Sequence, residues 1–387
     1  RKVVNGEPLL DWLWRGRVEK WLLAFFAVGV FSAAVANPLE PNSARSLFRL
    51  ASFLLFYYTI TGWTKKESQL RNLCMALFLS TIGVCALGLA QVAGDGFGDW
   101  YYALHAAEAE MAPPWQGRIA SVFLGVNSLA AHLNMVIPLA VAAEHLPTTD
   151  YYLRFSAKLC FILGVITLVL TQSRGGYLAF AFVVLTLIMT VLRRSTRRGN
   201  FYLTLLVSAV AGLALVFLTL RSTDTGSAIA SERFGSADEV TMQRLVMFGA
   251  ALTMFAGSPI FGIGYGNFRA HFNSFIGDLP NDIWDTHNLY LKFLAEIGLV
   301  GFLVFCGLTV SLMKMARQSW REGSYPLERI CAVGLVGGVV SVLVQGFVEA
   351  LIENPQFGSM LWFLFAIFVV SRRLGRTEMR TMGNSAV

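Results

Sequence analysis

The chain has 387 residues, 55% of them hydrophobic and 14% charged, with a mean hydropathy of +0.58. A soluble domain carries about 25% charge, so a water-soluble globule is excluded. Apolar runs of about 18–22 residues recur without period-two alternation, which points to membrane helices and excludes a β-barrel. The net charge of +7 sits in short loops between the runs, so positive-inside topology explains it without nucleic acid.

In chain order, the sequence opens at Arg1 rather than at a methionine, and an N-terminal piece is expected to precede it. No signal peptide is visible in the residues present. Arg15, Arg17 and Lys20 lead into a first span at 21–37. A second, at 45–63, carries Arg49; Lys65, Lys66 and Arg71 flank the turn into a third at 70–92. A mixed-charge loop over 93–118 ends at Arg118. The fourth span, 119–143, holds Asn127, Asn134 and Pro138, and a fifth covers 152–171. The short turn TQSRGG contains Arg174, Gly175 and Gly176 and leads into a sixth span at 176–192. Four arginines (Arg193, Arg194, Arg197 and Arg198) precede a seventh at 201–220. A long loop over 221–286 follows, then spans at 297–315, 329–350 and 357–371 and a basic tail. The expected architecture is an all-α polytopic bundle of about ten spans with a long, partly helical loop. It divides into an N-terminal bundle (1–220), a loop domain (221–286) and a C-terminal bundle with tail (287–387).

With ten spans, the basic regions at 15–20, 65–71, 193–198, 314–329 and 372–380 share one side, which the positive-inside rule makes cytoplasmic. TQSRGG then faces outward, where that rule gives Arg174 no reason to be. The five cysteines lie in or beside apolar runs without a CxxC pair, so they pack helices and indicate neither a disulfide nor zinc.

The outward segments collect Arg118, Arg174, Arg244 and His287. Guanidinium is permanently charged and donates two parallel hydrogen bonds, which suits a diphosphate. Gly175 and Gly176 open a helix, where backbone N–H groups favour an anion. Each arginine could instead snorkel to lipid phosphates or cap a loop carbonyl. His287 stands beside Asp285 and Asn288 with a side chain that titrates near neutrality, so it can serve as a general base. Asp282, Asp285 and His287 form a DxxDxH string that could bind a hard cation or simply be a solvated loop. GIGYGNF follows no expected strand, so a dinucleotide fingerprint is not indicated.

SRGG after one span, R-x-x-x-F followed by SPIFGIGYGNF, and HNLYLKFLAEIGLVGF together resemble the O-antigen ligase and polymerase superfamily. GRIASVFLGVNSLAAHL resembles its upstream motif, with Ser121 and Val126 departing from the usual pattern. The likeness is greatest to the ligase. It implies a membrane glycosyltransferase of the GT-C type, in the bacterial inner membrane with its active site facing the periplasm. About twelve spans are usual in the family, which implies two further helices ahead of Arg1. The implied donor is an O-antigen on undecaprenyl diphosphate, and the implied acceptor is a sugar hydroxyl of lipid A–core. No metal or other cofactor is implied.

On this resemblance His287, Arg174 and Arg244 are the expected catalytic residues. Arg118, Asn127, Gly175, Gly176, Asn288 and Tyr290 are the expected substrate contacts. Direct displacement would invert the anomeric configuration. An O-antigen polymerase or a protein O-oligosaccharyltransferase would use the same donor and the same residues. A transporter of lipid-linked glycans is the reading from another class. The nearly charge-free span interiors and the lack of repeat symmetry weigh against it.

Overall fold

The computed structural model describes residues 16–35, 41–92, 118–123, 125–146, 150–190, 237–276, 285–323 and 325–385. The expected span at 201–220, the RRSTRRGN stretch and Asp282 lie outside the described residues. The described residues form α-helices joined by turns, without strands. They are α1 (Arg17–Val35), α2 (Pro41–Trp63), α3 (Glu67–Val92), α4 (Val126–His145), α5 (Tyr151–Thr171) and α6 (Arg174–Thr190). Then come α7 (Ala237–Gly257), α8 (Phe268–Ile276), α9 (Leu289–Glu322), α10 (Pro326–Gln345) and α11 (Pro355–Ser385). A 3₁₀ turn, Leu351–Glu353, precedes α11.

Seven of these helices are long and apolar enough to cross a membrane: α1, α3, α4, α5, α9, α10 and α11. The shorter α6 is also apolar. The chain is an all-α, multi-pass membrane protein.

The helices group into two units. One contains α1, the part of α2 up to Phe56, α7, α8, α9 up to Arg317, and the segment 346–355. The other contains the end of α2, α3 to α6, α10 and most of α11.

In the second unit α4 is buried along nearly its whole length. It packs against glycines of α10: a Cβ at Gly337 would lie 2.3 Å from Pro138 Cβ, so the two helices meet backbone to ring. The expected span at 119–143 starts later than the apolar run suggests, because α4 begins only at Val126. Residues 119–121 lie as an irregular segment instead. Gln91 Oε1 accepts from the amides of Ala120 (3.3 Å) and Ser121 (2.9 Å), and Ser121 takes a positive φ of 51°. A side chain of α3 thus satisfies backbone groups that a helix would have satisfied.

In the first unit α9 is a broken helix. It begins at Leu289, ahead of the expected start at 297, and departs from helical geometry at Gly298 (φ 62°, ψ −167°). Freed backbone groups at the break pair with the loop between α7 and α8. Ile263 and Gly264 donate to the carbonyls of Ala295 (2.9 Å) and Glu296 (3.0 Å). Leu299 and Val300 donate to those of Pro259 (2.8 Å) and Ile260 (3.1 Å). Ser32 Oγ reaches the Glu296 carbonyl at 2.6 Å. Non-helical backbone within an apolar helix is tolerable where protein satisfies it in this way. The Gly-rich loop SPIFGIGYGN is therefore a plug for the break.

The expected span at 329–350 is also shorter, since α10 ends at Gln345. Residues 346–353 leave the helix and run beside the start of α9, where Leu289 N–H donates to the Gly346 carbonyl at 2.7 Å.

Candidate active site

The first unit holds His287, Arg244, Asn288 and Tyr290; the second holds Arg118, Asn127, Arg174, Gly175 and Gly176. Each set has its own construction.

His287 sits just before α9 with a positive φ of 48°. Such a conformation is uncommon outside glycine and persists only where its surroundings fix it. Asn288 does the fixing. Its Oδ1 accepts from the amides of Tyr290 and Leu291, both at 3.0 Å, capping the first turn of α9. Its Nδ2 donates to the Phe347 carbonyl at 3.2 Å. Asn288 is buried, and the structure thus gives it a capping role. The Tyr290 ring packs on Phe347 with centroids 4.7 Å apart.

The segment 346–353 brings Glu349 to His287, with Nδ1 and Oε2 3.1 Å apart. The His287 side chain is 39% exposed and Glu349 12%. An ionised carboxylate only accepts, so Nδ1 carries the proton and Nε2 is left as the base in the neutral ring. The Glu349 hydrogen bond holds the imidazole above its ordinary pKa; burial opposes this, and Glu349 and Asp285 add charge attraction. The charge of half-buried Arg244 on α7 is felt at His287 and pulls the other way. Neither Arg244 nor Arg174 has a carboxylate partner among the described residues.

A second ion cluster lies alongside. Buried Lys292 on α9 reaches Asp285 Oδ2 at 3.1 Å and Glu353 Oε2 at 3.2 Å. Glu296, also buried, accepts from the Phe268 amide at 3.0 Å. Lys292 and Glu296 lie inside an apolar helix, so the expectation of nearly charge-free span interiors is corrected. The expected start at 297 leaves both residues outside the span, between it and the loop over 221–286. Glu349, Lys292 and Glu353 were absent from the sequence-derived site. The available signal was three ionisable residues, Glu349, Glu353 and Lys292, set in or beside apolar runs.

In the second unit the TQSRGG turn is tightly built. Arg118 donates through Nε to the Thr171 carbonyl (3.2 Å) and through Nη2 to that of Gln172 (3.1 Å), capping the C-terminus of α5. Burial lowers the pKa of its guanidinium; Tyr177 opposes the shift and the Arg174 charge adds to it. Ser173 Oγ donates to Asn127 Oδ1 (2.7 Å) and accepts from the Gly176 amide (3.1 Å), capping α6. The Gly176 carbonyl accepts from Asn134 (2.8 Å), and a Cβ there would lie 2.5 Å from Ala130 Cβ. The amide of Gly176 is thus engaged within the protein, and the residue itself allows α4 and α6 to approach. Arg174, in contrast, is exposed at the first turn of α6. Arg118, Asn127 and Ser173 fix the turn that presents it.

Residues 159–306 match a family described as O-antigen ligase. Over this region the chain is similar to the O-antigen ligase family. The match includes Arg174, Arg244, His287, Asn288 and Tyr290, and begins after Arg118 and Asn127. It supports an O-antigen ligase or polymerase type of function, with a lipid-linked glycan and a lipid acceptor as the general partners. No curated protein matches the chain. Of the acids around His287, Asp285 lies within the matched region, whereas Glu349 and Glu353 lie beyond it.

Proposed function

We propose that the protein is an O-antigen ligase that moves a glycan from undecaprenyl diphosphate to a sugar hydroxyl of lipid A–core at the periplasmic face of the inner membrane. The observation that supports this best is the His287–Glu349 pair, inside or beside the region similar to O-antigen ligases, with the charge of Arg244, which has no carboxylate partner among the described residues, acting on it. Nε2 of His287 takes the proton of the acceptor hydroxyl. The hydroxyl oxygen forms a bond to the anomeric carbon as the bond from that carbon to the diphosphate oxygen breaks. The bonding pair leaves with the diphosphate, whose growing charge falls to Arg174 and Arg244. One displacement inverts the anomeric centre, and the arginines supply the charge stabilisation without a metal ion. The transferase would be of the GT-C type.

Purified protein should transfer glycan from a defined undecaprenyl-diphosphate donor to lipid A–core in the presence of a chelator. His287→Ala should lower the rate by about 10²–10⁴-fold, the usual contribution of a general base. Ligation at the wild-type rate by Arg174→Ala or Arg244→Ala would remove these arginines from the site. Elongation of the donor itself, or glycosylation of a Ser/Thr peptide instead of lipid A–core, would reassign the acceptor and make the protein a polymerase or a protein O-oligosaccharyltransferase.

A second reading follows from the break in α9 with Lys292 and Glu296 buried beside it. Broken helices with ionisable groups are also features of translocation paths. Movement of donor across reconstituted vesicles without bond formation would favour transport.

A further inference from the structure

The stretch 285–292 and the segment 346–353 run side by side, tied at four places. Leu289 N–H donates to the Gly346 carbonyl at 2.7 Å, and Asn288 Nδ2 to that of Phe347 at 3.2 Å. His287 meets Glu349 at 3.1 Å, and Lys292 meets Glu353 at 3.2 Å. Lys292 is also paired with Asp285, two residues before His287. We propose that Lys292 is a positioning residue: its buried ammonium clamps the His287 stretch to the segment that delivers Glu349, and so holds the base pair together. The proposal rests on the reading of His287 as the base.

The charges explain why one residue has this leverage. Asp285 and Glu353 both converge on Lys292 Nζ, whose side chain is 8% exposed. Glu296 adds a third carboxylate to its surroundings, and Glu296 Oε2 is buried without a hydrogen-bond partner among the described residues. Removing the ammonium leaves carboxylates of like sign facing each other in a site that water screens poorly. The two segments then repel at one end, and the lever between them is short. Glu353 lies four residues after Glu349, and Lys292 five after His287. A ~1 Å displacement of a positioned group can lower a rate by about 10²-fold.

A positioning role also has a sign that simple electrostatics lacks. Lys292 is paired with Asp285, which raises the imidazole pKa, so deleting the ammonium while His287–Glu349 stays intact would free that carboxylate and raise the value. Loosening the Glu349 contact would instead lower it, because that hydrogen bond is the main cause of its upward shift. The other charges felt at His287 are Asp285, which raises the value, and Arg244, which lowers it.

The test uses full-length protein in detergent or nanodiscs. The pH dependence of diethylpyrocarbonate modification is followed on the His287 peptide by mass spectrometry, beside kcat and donor KM for ligation. Lys292→Met should move the modification midpoint downward by at least about half a pH unit. It should lower kcat by roughly tenfold or more while donor KM stays within about twofold. Lys292→Arg, which keeps the charge, should hold the midpoint near that of the wild type. An unchanged or upward midpoint in Lys292→Met overturns the proposal. If Lys292→Met does not fold, Glu353→Gln cuts the same clamp while leaving Lys292 with Asp285. A downward midpoint there supports the proposal and an unchanged one overturns it. The modification assay needs no transfer activity. If the wild-type protein ligates nothing, the functional reading fails while the midpoints still decide the role of Lys292.

Discussion

At the residue scale, His287 was legible because a histidine beside Asp285 at the entry of a span is unusual. Its partner was not. Glu349 lies 62 residues further along and becomes a neighbour only because α10 ends at Gln345 and the chain turns back. The pair makes a directional prediction. The folded-state pKa of His287 lies above its ordinary value, chiefly through the Glu349 hydrogen bond. The neutral, base-competent ring should therefore be lost as pH falls through that raised value, so kcat/KM should show an acid limb above the ordinary histidine midpoint. In Glu349→Gln the largest raising influence is gone; Asp285 still raises the value, while burial and Arg244 lower it. The acid limb should move to lower pH, and the maximal rate should fall because a less basic, less oriented imidazole accepts the proton. A pH–rate profile of the two proteins checks both effects, and an acid limb that stays in place would remove Glu349 from the pair. The stability linkage has the opposite sense. A raised pKa favours the folded state below the unfolded value, and that contribution fades as pH rises through the folded value. Activity and this increment of stability thus run in opposite directions across the same window. Arg118 carries the contrary lesson. Its charge type and outward position suggested donor binding, yet two carbonyls at the end of α5 occupy it, and only coordinates could show where the chain brought those carbonyls.

At the element scale, hydropathy located most of the helices but not how α9 begins. Its apolar run is continuous through IGLVG, and a residue-average scale does not register one backbone dihedral. The break is visible only as Gly298 at φ 62°. A Cβ there would lie 2.4 Å from the Ile260 carbonyl oxygen, which is backbone and cannot step aside. Gly298→Ala should therefore destabilise the protein by roughly 1–3 kcal/mol, the range for a residue forced into a disfavoured conformation. Gly83, in the middle of α3, has nothing within 4 Å of its added Cβ and serves as the control. There the exchange should be neutral or stabilising by up to about 1 kcal/mol, since alanine is the better helix former. Thermal unfolding of both variants in one detergent gives the comparison. Equal midpoints would mean that the break in α9 is not constrained by the loop that fills it.

At the scale of the whole molecule, Arg174 stands out by the parity of the membrane crossings that precede it, and its side can be tested without assaying any reaction. Between the turn at 64–66 and the turn at 172–173 the chain passes through α3, α4 and α5, each long and apolar enough to cross the membrane. An odd number of crossings puts those two turns on opposite sides. Lys65 and Lys66 mark the first as cytoplasmic, because short loops rich in basic residues stay inside. On that reading Arg174 is expected outside, where a lipid-linked glycan already carried across the bilayer would meet it. Four of the native cysteines are buried and Cys306 is half-buried, so their replacement by alanine or serine gives a low background for labelling. Arg174→Cys should react in intact spheroplasts with a thiol reagent that cannot cross the membrane. Ser68→Cys, exposed at the start of α3, should react only after the membrane is opened. The reverse pattern would return Arg174 to the role of an ordinary cytoplasmic charge and remove it from the donor site. Labelling of both positions in intact spheroplasts would mean that one of α3, α4 and α5 fails to cross, and α4 would be the first suspect. It is the most enclosed of the three, with 89% of its apolar window buried within the protein, and thus shows lipid the least surface.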